Sequence, residues 1–352
     1  MFKNKLFILI AVGMGFLMYS CGSEKARNQE ESPEEQVVNV YTHRHYDVDK
    51  QLFADFTTET GIKVNVVNAS ADELIQKMEL EGDKSPADVL ITVDAGRLHR
   101  AKEKGLIKAV KSTVLEDNIP SKFRDPEGHW FGVTYRARVI VYAPDRVNET
   151  DLSTYESLID DKWKGKLLIR SSSNIYNQSL MASLIAANGE DGAKAWAEGM
   201  VKNMAREPKG SDRDQVKAIA SGIGDIAVVN TYYIGKLLNS KVEEEVTAGK
   251  AVKVFFPNQG EGRGTHINVS GAAVAKHAPN EANAVKFIEY LSGDKAQSVF
   301  AGANYEYPVK PGVKVAELLD SWGTFKSDAI NLSVLGENNQ AAVMLFDEVG
   351  WK

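Results

Sequence analysis

The sequence predicts a two-lobed α/β fold with mixed, largely parallel sheets and a hinged cleft between the lobes. Three observations predict it. Short apolar runs alternate with stretches of helical spacing along the whole body of the chain. About 315 residues follow the N-terminal region, more than a single hydrophobic core usually holds. Two apolar segments, Trp130–Tyr142 and Thr265–Ala275, are long enough to cross from one lobe to the other, and two crossings make a hinge.

The elements follow in order. Val37–Tyr41 reads as a strand, and Val48–Thr58 as a helix with Leu52, Phe53 and Phe56 on one face. Lys63–Val67 is a second strand, Ala71–Gly82 a helix and Ala87–Val93 a third strand. A second α/β set contains the strand Lys166–Arg170, helices over Tyr176–Ala187, Gly192–Met204 and Asp212–Ser221, and the strand Asp225–Val229. Tyr-Ile-Gly-Lys-Leu-Leu then reads as a helix, Val252–Phe256 as a strand, and Asn280–Leu291 and Leu332–Val349 as outer helices. The expected organisation is a signal peptide over 1–20 and a tether over 21–36. The first lobe takes 37–135 and 265–312, the second lobe 136–264, and C-terminal helices over 313–352 pack on the second lobe.

Met1–Lys5 is basic and Leu6–Met18 apolar, a pattern too short for a comfortable transmembrane span and placed as a secretory signal. The chain's one cysteine, Cys21, follows a small residue, where a lipoprotein signal peptidase would leave a new N-terminus; Met18 departs from the usual leucine. One cysteine allows no intrachain disulfide, and acylation explains the thiol better than redox work. Gly22–Glu35 is polar and charged, a tether between a membrane anchor and a folded body. The net charge of −6 and the lack of a long basic run argue against nucleic acid as a partner.

Three strand-to-helix junctions carry the candidate ligands: Thr42-His-Arg-His45-Tyr46-Asp47, Arg170-Ser-Ser-Ser-Asn-Ile-Tyr176, and Asn230-Thr-Tyr232-Tyr233. In open α/β sheets ligands bind beyond the carboxyl ends of strands, which is where these junctions lie. At the first turn of a helix, two adjacent tyrosines can lean toward one cleft; inside a strand they would diverge. Phenolate oxygen is a hard donor suited to a hard, highly charged cation. With a tyrosine pKa near ~10, ionising several phenols at neutral pH needs a strong positive centre, which ferric iron supplies. Helix N-termini favour the phenolates further, and a neutral His45 imidazole could complete the set beside Tyr46. Mg²⁺ or Ca²⁺ would call for carboxylates and carbonyls, and zinc for Cys or several His. Arg44, Arg136, Arg138, Arg170 and Arg263 are candidates to orient the ligand oxygens.

Other readings stay open at this level. The tyrosines could pack as half-buried aromatics, or stack on an anion or small organic solute in the same fold. Ser171–Ser173 could cradle an anion or simply cap a helix. His43-x-His45 resembles the start of a metallohydrolase site, but His99, His129, His266 and His277 bring no supporting motif. Gly260-Glu-Gly-Arg-Gly-Thr265 lacks the Lys-Ser/Thr of a phosphate-binding loop and reads as an interlobe turn.

Across nearly the whole body, the chain resembles the ferric-iron-binding substrate-binding proteins of ABC transporters, in particular the FutA-like branch. The resemblance is carried by Arg44-His-Tyr46, Ser85-Pro-Ala-Asp-Val89, Arg170-Ser-Ser-Ser-Asn174, Tyr176-Asn-Gln-Ser179, Ala205-Arg-Glu-Pro208, Asn230-Thr-Tyr-Tyr233, Phe255-Phe-Pro-Asn-Gln259 and Asn304-Tyr-Glu-Tyr-Pro308. It implies a type II periplasmic-binding-protein-like fold, with Tyr176, Tyr232 and Tyr233 as iron ligands from the second lobe. His45 and Tyr46 would contribute from the first, His45 being the member that varies between states. The implied protein is not an enzyme. It is a monomer that carries Fe³⁺ as cargo to an inner-membrane ABC permease, held in the periplasm or cell envelope by a lipid on Cys21.

Overall fold

The computed structural model describes residues 36–44 and 47–352. The expected signal segment, the tether up to residue 35 and the His45–Tyr46 pair lie outside the described residues. The chain runs β1 (Val37–Thr42), α1 (Asp47–Thr60), β2 (Lys63–Asn68), α2 (Ala71–Glu81), β3 (Val89–Val93), α3 (Ala95–Glu103), α4 (Thr113–Asn118) and β4 (Phe131–Tyr142). It continues through β5 (Leu167–Leu168), α5 (Ile175–Asn203), α6 (Asp212–Ala220), β6 (Ile226–Asn230), α7 (Thr231–Leu238), α8 (Glu243–Lys250) and β7 (Lys253–Phe255). The last elements are β8 (Ile267–Val274), α9 (Glu281–Ser292), α10 (Asp294–Asn304), β9 (Tyr307–Pro308), α11 (Glu317–Ser321), α12 (Val334–Glu337) and α13 (Asn339–Glu348).

The strands follow the order β2-β1-β3-β8-β4-β6-β5, with β7 and β9 also paired to β4. Two lobes share this path. Phe131–Ala137 of β4 pairs antiparallel with β8, and Arg138–Tyr142 of the same strand pairs antiparallel with β6. One strand therefore runs through both sheets, as the length of the Trp130–Tyr142 run predicts. The pairing is mixed and less parallel than the sequence predicts: β1 pairs parallel with β2 and β3, and β5 with β6, whereas every pairing of β4 and β8 is antiparallel, because these long strands return against their neighbours.

Burial follows the sequence pattern. β6, apolar without alternation, is buried at every position, as a strand covered on both faces must be. β2 pairs only with β1 and is exposed along most of its length. In the first lobe the Leu52, Phe53 and Phe56 face of α1 is buried, and Phe287 of α9 meets Phe53 and Phe56 edge-on. In the second, Trp351 packs on Trp196 of α5 and Phe346 of α13. α13 lies on α5, while α12 touches both α5 and α3.

Local differences from the predicted elements have physical causes. The two helices predicted over 176–204 run together as the 29-residue α5, interrupted at Gly189, whose φ of 72° only glycine adopts cheaply. The C-terminal helix is broken into α12 and α13 at Asn338. The strand expected over 166–170 pairs only at Leu167 and Leu168 before the chain turns toward the start of α5.

Candidate metal centre

Two helix starts of the second lobe converge because β5 and β6 are parallel neighbours, with Leu167 opposite Ile226 and Leu168 opposite Ala227. Their carboxyl ends therefore lie on one edge of the sheet. From one, Asn174 caps α5, its side-chain oxygen accepting from the Tyr176 N–H at 3.1 Å. From the other, β6 ends at Asn230 and Tyr232 and Tyr233 occupy the first turn of α7. The two rings lie 4.3 Å apart between centroids at 33°. The Tyr232 hydroxyl donates to the Tyr176 hydroxyl at 3.1 Å. Tyr176 and Tyr233 are half-buried and Tyr232 is buried.

Arginines fix this arrangement from behind. Arg138 stands opposite Asn230 in the ladder, so its guanidinium reaches both helix starts. It donates to the side-chain oxygens of Asn230 at 3.1 Å, Asp212 at 3.3 Å and Asn177 at 2.6 Å. Asp212 also accepts from the Asn230 N–H at 2.8 Å. Arg136, Arg138 and Arg170 lie 5.6, 6.0 and 5.6 Å from the centre of the Tyr176 ring. Arg136, Arg138, Tyr176, Asn230, His266 and Asn268 line one narrow crevice, too tight to hold a water molecule. Arg44 serves the first lobe, bridging Asp49 at 3.0 Å and Glu306 at 3.1 Å. Arg263 sits over Tyr155 and pairs with Asp328 and Glu156, so it orients no tyrosine of the cluster.

Burial is the largest influence on the titratable groups in and around the cluster. Burial pushes the Tyr233 phenol well above its ordinary value, and Tyr176 and Asp212 push the same way, against smaller opposing effects of Tyr232 and Arg170. Burial pushes Lys236 of α7 down to about 8, with Glu306 resisting and Arg44 adding to the fall. Its ammonium lies 5.0 Å from the centre of the Tyr232 ring. His43 is held down to about 4 by burial, with Arg44 and Arg97 contributing, so its imidazole is neutral.

The structure thus brings Tyr176, Tyr232 and Tyr233 together; His45 and Tyr46 belong to the undescribed pair. Among the described residues, the one His/Cys/Asp/Glu group with ligand spacing is Asp125, Glu127 and His129, which excludes His43 and already holds the Lys102 ammonium. Sequence reasoning missed Asp94, Asn177, Asp212 and Lys236. Asp94 had a usable signal, since it directly follows β3 and so stands at the carboxyl end of a strand like the other junctions.

A family model described as bacterial extracellular solute-binding protein matches residues 84–326. The chain belongs to this family. Its role is that of a transport-related, extracellular solute-binding protein. Among family members, the "Iron uptake protein A1" of Synechocystis is 49% identical over 353 residues, covering 98% of each chain. The "Major ferric iron-binding protein" of Neisseria meningitidis is 25% identical over 90% of this chain and 93% of its own. A solved Trichodesmium structure, described as IdiA (FutA) in complex with iron and citrate ligands, superposes with a TM-score of 0.88 at 51% identity. It covers 90% of this chain and 100% of its own. These two-lobed neighbours match the fold observed here. Among the described residues of this family member, no helix is long and apolar enough to cross a membrane.

Proposed function

We propose that this chain captures ferric iron in the interlobe cleft with tyrosine phenolates and delivers it to an ABC permease. The observation that carries the reading is the 3.1 Å separation of the Tyr176 and Tyr232 oxygens. An octahedral cation with metal–oxygen bonds of about 2.1 Å has adjacent ligand oxygens about 3.0 Å apart. Two phenols spaced for neighbouring positions, with Tyr233 beside them, therefore suit a hard cation without rearrangement. Tyr176, Tyr232 and Tyr233 are the second-lobe ligands in this reading, with Tyr46 and, in some states, His45 from the first. The relatives, which include an iron uptake protein and a ferric iron-binding protein, support the same cargo.

The organisation that goes with it assigns 37–135 and 265–312 to the first lobe and 136–264 to the second, with 313–352 packed mainly on the second. The division is supported by the pairing change within β4 between Ala137 and Arg138. The protein works as a non-catalytic monomer, lipid-anchored through Cys21 after removal of residues 1–20. Mixing it with ferric citrate tests the cargo. A visible phenolate-to-iron absorption band, lost or shifted in Tyr232→Phe and Tyr233→Phe, is the expected result; a colourless mixture and unchanged affinity in both variants overturns the reading.

A second reading, in which the cargo is an anion or small organic solute, is favoured by one observation. Both terminal nitrogens of the buried Arg136 guanidinium lack a hydrogen bond among the described residues. Calorimetry with ferric iron against carboxylate solutes lacking metal separates the two.

A further inference from the structure

Asp94 departs from ordinary backbone geometry at the junction of the two lobes. Its φ of 86° and ψ of 122° lie where non-glycine residues are strained, and it is fully buried. A helix N-cap normally has extended backbone at negative φ, so capping α3 alone does not call for this conformation. The strain goes with an unusual set of partners. One carboxylate oxygen accepts from the Gly96 N–H at 2.9 Å and from the Ser179 hydroxyl at 2.7 Å. The other accepts from the Asn268 amide at 2.9 Å and lies 3.7 Å from an Arg136 nitrogen.

Those partners span the molecule. Gly96 belongs to the first lobe, Asn268 to β8 of the first sheet, Arg136 to β4, the strand that runs through both sheets, and Ser179 to α5 of the second lobe. Ser179 follows Tyr176 by three residues, one helical turn along the same face. Arg136 packs on the Tyr176 ring. Two routes therefore lead from one first-lobe carboxylate to one second-lobe phenol.

We propose that Asp94 is a positioning residue for metal capture, holding the first turns of α5 through Ser179 and Arg136 so that the Tyr176 phenol meets Tyr232. The inference rests on Tyr176 being an iron ligand. It makes the orientation of that ligand a property of the interlobe junction and not of the second lobe alone.

The test loads the full-length protein with ferric citrate and follows release to excess chelator through the phenolate band. Ser179→Ala is the main variant, because it removes one hydroxyl and leaves the Asp94 backbone and cap intact. Release should speed up about tenfold, as for loss of one hydrogen bond to a charged group. Ser179→Thr, which keeps the hydroxyl, should restore the wild-type rate. In a Tyr176→Phe background, Ser179→Ala should change release by less than about twofold, since the two act through one group. An equal effect of Ser179→Ala in both backgrounds, or none in the wild type, overturns the inference. If Tyr176→Phe by itself leaves band and release unchanged, the ligand reading fails and this inference with it. If Tyr176→Phe alters both while Ser179→Ala acts equally in the two backgrounds, the positioning role alone fails.

Discussion

The phenol of Tyr232 donates to the phenol oxygen of Tyr176 at 3.1 Å across a gap of 56 residues in the chain. Each tyrosine stands at the start of its own helix, and the strands that deliver those helices are parallel neighbours. The contact is thus a product of sheet order. A cation that replaces the shared proton would find two oxygens already placed.

Replacing any one of Tyr176, Tyr232 or Tyr233 by Phe should weaken ferric binding more than about 100-fold, above the range expected for groups that only orient ligands. Competition against citrate, read at the phenolate band, measures it. Equal affinity in all three variants would remove the cluster from the mechanism.

Arg138 joins the two helix starts through Asn230, Asn177 and Asp212. Arg138→Met leaves the Asp212 carboxylate buried without its closest cation, and the expected loss is about 3–5 kcal/mol in urea unfolding. Arg138→Lys should recover little of it, because one ammonium cannot reproduce the planar fork.

Iron capture should release about one proton for each phenol that ligates. The Tyr233 pKa lies above its ordinary value, so at neutral pH that phenol carries its proton until metal displaces it. Lowering the pH therefore opposes binding, and raising it favours binding. Proton uptake or release measured at constant pH on adding ferric iron, corrected for its chelator, checks the direction; no release would contradict phenolate ligation.

Glu306 is buried against Arg44. Burial alone would raise its pKa, but Arg44, Arg136 and the Asn304 amide outweigh it and hold the carboxyl below its ordinary value. Its stabilising contribution is therefore full above the unfolded-state value of about 4.5 and is lost as pH falls through the lower folded-state value. Glu306→Gln should cost about 3 kcal/mol at pH 7 by leaving Arg44 under-compensated. Its deficit relative to wild type should shrink on acidification, which melting temperatures between pH 3 and pH 7 will show.

Gly235 of α7 faces Tyr305, which follows α10 in a left-handed conformation with φ of 56°. A Cβ on Gly235 would lie 2.4 Å from the Tyr305 ring. Gly235→Ala should destabilise the protein by about 1–3 kcal/mol through overpacking. Tyr305→Gly relieves both the clash and the left-handed strain, so the double variant should regain stability over Gly235→Ala in thermal unfolding.

Much of the fold was legible because its strands are apolar runs with clear ends. Val37–Thr42, Ile226–Asn230 and the long β4 lie within a residue or two of expectation. α3, α8 and α10 escaped because their apolar positions are few or interleaved with charge, and the neighbouring sheet decides their conformation. The tyrosines of the candidate site were legible from strand ends followed by helix starts. Asp212 and Asn177 were not, since no local pattern marks a side chain whose partners lie tens of residues away.

β8 sits between β3 and β4, yet it is drawn from chain that follows the whole second lobe. As the polypeptide emerges, β3 must wait with an open edge, its unpaired backbone groups a template for wrong partners. Closure of the first sheet is a long-range, late event, and such events are slow. A fragment ending anywhere before Ile267 lacks the strand that joins its two halves and should aggregate instead of folding partway. The moment of biosynthesis at which a cleft comes into being is thus set by a segment that contributes none of the proposed iron-binding oxygens.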